Sequence, residues 1–284
     1  MSATTAVVTT LAQNAEAEAE QEQPTAEQAT VRKLMAAPTP EMFDFASIGV
    51  KVERPRKPSK KFSAVLYSPP KIGKTSLIGT CADVPELCPV LVLAIEDGSS
   101  VLDAKYGDDE NLDVINCEDW PTAARVITAV AEGRTRYKTI GVDTISELQE
   151  LMKEHCNEEG YGLWSFIADE TIKVVKMLHR SPHVNVIFTT HAEKLQDTTG
   201  KILNSPYFLG KKALGEVLKP IDLILYLAVT QDKTTGEPMR VLLTKPDGKN
   251  DAGDRTGKLD MYIPNPNFAE IYAQMKADEY AAAS

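Results

Sequence analysis

The sequence predicts an α/β protein with a mainly parallel sheet, flanking helices and a C-terminal antiparallel hairpin. Three observations carry this. Near-continuous apolar runs at 89–98, 137–144, 183–191 and 221–229 read as strands buried on both faces, the habit of parallel sheets covered by helices. Segments with helical apolar spacing fall between several of them. A first strand-like run, Phe62 to Tyr67, enters a tight loop ending in Gly73-Lys74-Thr75 before a helix-compatible stretch.

That strand–loop–helix is the context a phosphate-binding loop needs. Backbone N–H groups and a helix N-terminus face the anion, a lysine reaches the β/γ-phosphates, and a hydroxyl ligates Mg²⁺. The stretch Ser68-Pro69-Pro70-Lys71-Ile72-Gly73-Lys74-Thr75-Ser76 meets the pattern G-x-x-x-x-G-K-[ST] everywhere except its first position, where Ser68 replaces glycine. Pro69 and Pro70 lack N–H donors, so the donors nearest phosphate should come from Ile72 to Thr75. The bland alternative is an ordinary turn between strand and helix.

The run 89–98 ends in Glu96 and Asp97. A carboxylate there lies at the ligand edge of an α/β sheet, placed for Glu96 to orient and deprotonate an attacking water. The alternative is a pair of acids in a solvated loop. Leu112–Asn116 reads as a short strand, and Trp120–Ala131 as a helix with Asp119 as N-cap and Pro121 in its first turn. The run 137–144 closes on Asp143, the Walker B arrangement in which a carboxylate holds the Mg²⁺ water shell. Thr144, not glutamate, follows it, which leaves Glu96 as the candidate base.

Helices are expected over 145–157 and 163–179, the second with Ile167, Thr171, Val174, Val175 and Leu178 as its buried stripe. The run 183–191 ends in Thr189, Thr190 and His191, polar groups placed to sense a γ-phosphate; the alternative for His191 is a structural histidine. Residues 192–219 read as an irregular loop. Its lysines (194, 201, 211, 212, 219) and the aromatics Tyr207 and Phe208 suit contact with single-stranded nucleic acid, the alternative being a surface hairpin. Runs 221–229 and 238–245 are joined by D-K-T-T-G-E and predict the antiparallel hairpin. A glycine- and charge-rich loop (246–258) and a helix over 267–280 complete the chain.

Composition bounds the rest. The 284 residues are 43% hydrophobic and 25% charged, with net charge −10, which argues against a uniformly basic nucleic-acid binder. Residues 1–45 read as a disordered acidic tail, 46–60 as a basic linker, and 61–284 as the folded domain. No run approaches the ~18 apolar residues of a membrane span, and no signal-peptide pattern opens the chain. The four cysteines lack disulfide or zinc spacing and read as reduced thiols, so a cytoplasmic location is expected.

S-P-P-K-I-G-K-T-S, L-V-L-A-I-E-D-G, I-G-V-D-T, V-I-F-T-T-H-A-E-K and the late G-D-R-T-G together resemble the RecA-type P-loop ATPase core. More narrowly, the chain resembles phage-encoded AAA/RecA-like proteins, including the RecA-like single-strand annealing proteins of the fourth Sak group. The resemblance spans about residues 60 to 275. It implies ATP and Mg²⁺ as cofactors, with Lys74 and Thr75 on phosphate and metal, Asp143 as Walker B acid and Glu96 as water-activating base. Arg255 would act as a finger across a subunit interface; the alternative is local pairing with Asp254. It further implies slow, DNA-stimulated hydrolysis in phage recombination or replication, self-assembly into a ring or filament, and single-stranded DNA and its binding protein as partners, in a bacterial host cytoplasm. A competing reading is a nucleotide-dependent interaction module, or a helicase-loader-like partner of a phage replisome. A third is a GTPase, because Thr244-Lys245-Pro246-Asp247 fits [NT]-K-x-D; against it, D-T-I-S after Asp143 lacks the switch glycine.

Overall fold

A computed structural model describes residues 61–96, 98–196 and 200–281, without side chains for 211, 212 and 278–281. The expected acidic tail and basic linker, Asp97, and the side chains of Lys211 and Lys212 lie outside the described residues.

The chain begins with β1 (Ser63–Ser68), α1 (Lys74–Gly79) and a 3-10 turn, then β2 (Val90–Ala94), α2 (Ser100–Tyr106) and β3 (Leu112–Asn116). Next come α3 (Trp120–Ala131), β4 (Thr139–Asp143), α4 (Ile145–His155), α5 (Gly160–Arg180) and β5 (Asn185–Gln196). The remainder is β6 (Ile202–Pro206), α6 (Lys211–Leu218), β7 (Leu223–Gln231), β8 (Pro238–Leu243), β9 (Gly253–Asp254), β10 (Tyr262–Pro264) and α7 (Phe268–Ala281). Eight strands lie in the order β10-β8-β7-β1-β5-β4-β2-β3, with β6 paired to β5 and β9 to β7. The run from β7 to β3 is parallel, while β8 and β10 add the antiparallel C-terminal part. This is the α/β architecture the sequence predicts, a mainly parallel sheet with flanking helices and a C-terminal antiparallel hairpin.

The central strands β1, β2 and β4 and the first half of β5 are buried along their length because both sheet faces are covered. Val65, Leu91, Leu93, Ile140, Val142 and Phe188 face one core, closed by α3, α4, α5 and α6. Their alternate neighbours Ala64, Leu66, Val90, Val92 and Ile187 face a second, closed by α1, α2 and α7. Caps fall where side-chain chemistry puts them. Asp119 accepts from the Thr122 N–H at 2.9 Å to start α3, and Asn267 accepts from the Glu270 N–H at 2.8 Å to start α7.

One expectation needs correction, and one element was not anticipated. Residues 192–219 are not an irregular loop. β5 continues to Gln196 and turns back as β6, with Glu193 opposite Ser205 and Lys194 opposite Asn204, and α6 follows. Helix α2, between 99 and 107, has no counterpart in the sequence reading.

Candidate active site

Parallel register brings the ends of four strands to one edge. Ser68, at the end of β1, is level with His191 of β5, and Ala94 of β2 with Asp143 of β4. The phosphate-type loop leaves β1 here. Lys71 turns it in the left-handed region (φ 64°), and Gly73 follows at φ 103°, a conformation that favours glycine. Gly73 N-caps α1 without a side-chain cap, and Leu77 is bonded back to the Gly73 carbonyl at 3.0 Å. The first-turn N–H groups of Lys74, Thr75 and Ser76 therefore precede the intrahelical ladder. Pro69, Pro70 and Lys71 are exposed, whereas Ile72, Gly73, Thr75 and Ser76 are half-buried.

Lys74 is only 7% exposed. Burial pulls its pKa below the ordinary lysine value, against the pull of Asp143 and then Glu96. Its described side-chain contact is donation to Ser68 Oγ at 3.4 Å. The Ser68 hydroxyl in turn donates to the Pro69 carbonyl at 2.7 Å. Here lies a buried cation whose neighbour is a hydroxyl, an arrangement an anion would complete.

Asp143, 5% exposed, accepts from two hydroxyls. Thr75 Oγ1 donates to Oδ2 at 2.5 Å, and Thr189 Oγ1 donates to Oδ1. The carboxylate of β4 thus touches the hydroxyl that opens α1. Gly141, two residues earlier, makes the approach possible, since a Cβ there would lie 2.7 Å from Ile78 Cγ2 on α1. The segment after β2 is tied to the same point. The N–H groups of Ile95 and Glu96 donate to the Asp143 carbonyl at 2.8 and 3.4 Å, and Gly98 lies beside Thr75 Oγ1. Glu96, with its side chain 46% exposed, forms the rim, its Oε2 3.9 Å from His191 Nε2. His191 Nδ1 is buried and has no partner among the described residues.

The donor set fits a nucleoside triphosphate with Mg²⁺. That ion keeps several waters and takes one or two carboxylates together with phosphate oxygens. Asp143 and the Thr75 hydroxyl, in mutual contact beside an unneutralised lysine, would hold it there.

A sequence profile for AAA domains matches residues 60–256, more than half of the chain. The chain belongs to this AAA domain family. No curated protein gives a match. Among similar solved structures is a KaiC-like protein from the hyperthermophilic archaeon Pyrococcus horikoshii, 16% identical, with a TM-score of 0.41 over 64% of this chain and 77% of that one. The AAA match extends from just before β1 to the turn after β9, so it takes in every strand that contributes to this site.

Within this AAA domain the structure gathers Ser68, Ile72, Gly73, Lys74, Thr75, Ser76, Glu96, Asp143 and His191. It does not bring Arg255 to them. Arg255 follows β9, which pairs with Leu223 at the start of β7, the end of the sheet away from the loop. Its guanidinium donates to the carbonyls of Pro220 (3.0 Å) and Lys219 (2.6 Å) and lies 3.9 Å from Asp222. The local pairing exists, but not with Asp254, which holds its own turn through Thr256 and Leu259. Asp247 is likewise occupied. It accepts from the Lys249 and Asn250 N–H groups and the Asn250 side chain, each at 2.8 Å. Although burial pushes its carboxyl up, these donors hold it below the usual range. A carboxylate so engaged is not presented to a guanine. Sequence reasoning named Thr189 without its role as Asp143's second donor. At least one helix is long enough to span a bilayer, but no helix among the described residues is also apolar enough to cross one.

Proposed function

We propose that the chain is an ATPase acting on single-stranded DNA in recombination or replication, as its resemblance to phage RecA-like annealing proteins implies. The observation that carries the ATPase part is the contact of Thr75 with Asp143 beside the buried Lys74, with Glu96 on the rim. In this reading Lys74 and the N–H groups around it hold the phosphates, and Thr75 and Asp143 hold the metal. When bound, Mg²⁺ supplies neutralisation of charge on the phosphate oxygens. Glu96 orients a water and accepts its proton, and His191, near Glu96 and level with Ser68, limits where that carboxylate swings.

The DNA part is supported by β5. The strand that supplies Thr189 and His191 continues into the β5–β6 hairpin, which carries the exposed Lys194 and Lys201 and an Ile202 that is 60% exposed. Basic residues beside an exposed apolar side chain suit a phosphate backbone with unstacked bases.

The test is an ATPase assay with and without single-stranded DNA, alongside light scattering for assembly. Slow hydrolysis that requires Mg²⁺, rises with DNA and vanishes in Lys74→Ala is expected. Lys194→Glu with Lys201→Glu should weaken DNA binding and flatten its salt dependence. Nucleotide binding that survives Lys74→Ala would refute the loop assignment, and DNA affinity untouched by the double reversal would remove the hairpin.

A further inference from the structure

The β7–β8 hairpin runs past the carboxyl end of the sheet. Tyr67 is level with Tyr226, and Tyr226 with Leu243, so Arg240, opposite Val229, stands three residues beyond the level of Tyr67. From there its side chain returns over the phosphate loop. A Cβ built on Gly73 would lie 2.7 Å from Arg240 Nη1 and 3.8 Å from Cδ and Cζ. The backbone beneath is pinned, since the Asn265 N–H donates to the Arg240 carbonyl at 2.7 Å. Arg240 is exposed, yet among the described residues its guanidinium has no hydrogen-bond or salt-bridge partner. Exposed arginines usually extend into solvent; this one is lodged against the loop that presents N–H groups to an anion.

The loop has two flanks. Asp143, Glu96 and His191 come from β4, β2 and β5, all on one side of β1, whereas Arg240 comes from β8, beyond β7, on the other. The terminal phosphate has to face the carboxylates, because the attacking water is activated there. The rest of the nucleotide then leaves the loop on the Arg240 side. We propose that Arg240 is a nucleotide-binding residue that grips the α/β-phosphate end of the substrate and of its diphosphate product, and is not a finger on the transferred phosphoryl group. This rests on the ATPase reading above. A guanidinium fork suits two phosphate oxygens at once, which a lysine at the same place does not match.

The test compares ADP and ATP affinity by calorimetry, and kcat at saturating ATP, for the wild type, Arg240→Ala, Arg240→Lys and Lys74→Ala. Arg240→Ala should weaken ADP and ATP alike, by about tenfold or more, the worth of one charge-assisted hydrogen bond. Its kcat should hold within about twofold, as expected when ground state and transition state lose the same contact. Arg240→Lys should fall between. Thermal melting of the nucleotide-free Arg240 variants should match the wild type, since that side chain is at the surface. Unchanged affinities, or a loss confined to ATP with a fall in kcat, overturns the assignment. If the wild type binds and Lys74→Ala does not, while Arg240→Ala binds normally, the Arg240 assignment alone falls. If the wild type binds neither nucleotide, the ATPase reading falls with it.

Discussion

Lys74→Met should stabilise the nucleotide-free protein while removing its response to nucleotide. Lys74 is 7% exposed, and its ammonium has a serine hydroxyl at 3.4 Å as its neighbour. Burial outweighs the attraction of Asp143 and Glu96, since the pKa is lowered in the balance. Replacing such a buried charge by an apolar chain of similar volume should add about 1–2 kcal/mol, equivalent to a Tm rise of about 2–8 °C for a domain of this size. With ATP and Mg²⁺ at about a hundred times Kd, the wild type should gain about 2.7 kcal/mol and the variant nothing. The order of the two proteins therefore inverts when nucleotide is added. The pH dependence has a fixed sign. Below the lowered pKa both folded and unfolded chains hold the proton; between it and 10.5 only the unfolded chain does, so unfolding takes up a proton and stability rises with pH. Tyr67 acts oppositely, because burial raises its phenol pKa and the unfolded chain deprotonates first. The wild-type minus Lys74→Met difference isolates the lysine, and the variant's advantage should shrink as pH rises through that window. Urea melts at several pH values measure it. A Lys74→Met protein less stable than wild type by more than about 1 kcal/mol would mean that the lysine holds the fold together, refuting the idea of a cation kept ready for an anion.

Glu96→Gln should lower ATP hydrolysis by about 10²–10⁴-fold, the usual range for loss of a general base, with ATP affinity retained; hydrolysis at wild-type rate would transfer that role elsewhere. Gly141→Val should cost about 1–3 kcal/mol, because its side chain would press on Ile78 and push α1 from β4. Nucleotide affinity should fall with it, and an urea midpoint equal to wild type would show the contact to be slack. Asp247→Ala should leave the preference between ATP and GTP unaltered and destabilise its loop by about 0.5–1.5 kcal/mol through lost hydrogen bonds; a selective loss of GTP binding in calorimetry would reinstate the guanine reading.

The parallel core was legible because strands covered on both faces leave continuous apolar runs. The segments 89–98, 137–144, 183–191 and 221–229 became β2, β4, β5 and β7. In a parallel sheet all such strands end at the same edge, so Glu96, Asp143 and His191 were placed near Lys74 by topology alone. What stayed hidden depends on pairing over distance. β6 is only five residues long, without a buried apolar run, and is a strand because β5 overruns the sheet and offers Ala192–Gln196 as a template. Arg240 reads as a polar residue of a half-exposed strand, and its position over Gly73 follows from the β7–β8 register. Arg255, read as a finger across a subunit interface, bonds within this chain to the carbonyls of Pro220 and Lys219. The turn around it is held locally, because Asp254 spends its oxygens on the N–H groups of Thr256 and Leu259 and the Thr256 hydroxyl.

The departure at Ser68-Pro69-Pro70 also finds its reason in the geometry. Glycine at the first position of such a loop gives the backbone freedom to turn, but here the turn comes later, at Lys71 (φ 64°) and Gly73 (φ 103°). The two prolines occupy the exposed rise of the loop, where no N–H is needed for the anion and a fixed φ stiffens the chain. Ser68 is then free for a task glycine lacks, since its hydroxyl accepts from the Lys74 ammonium and donates to the Pro69 carbonyl. The substitution exchanges backbone freedom for a hydroxyl that keeps the buried cation folded back over the loop. Ser68→Gly, which restores the common pattern, should therefore loosen Lys74 and weaken nucleotide affinity by a few-fold, the scale of one modest hydrogen bond, with kcat unchanged. Tighter binding in that variant would show that backbone freedom was the limiting property after all.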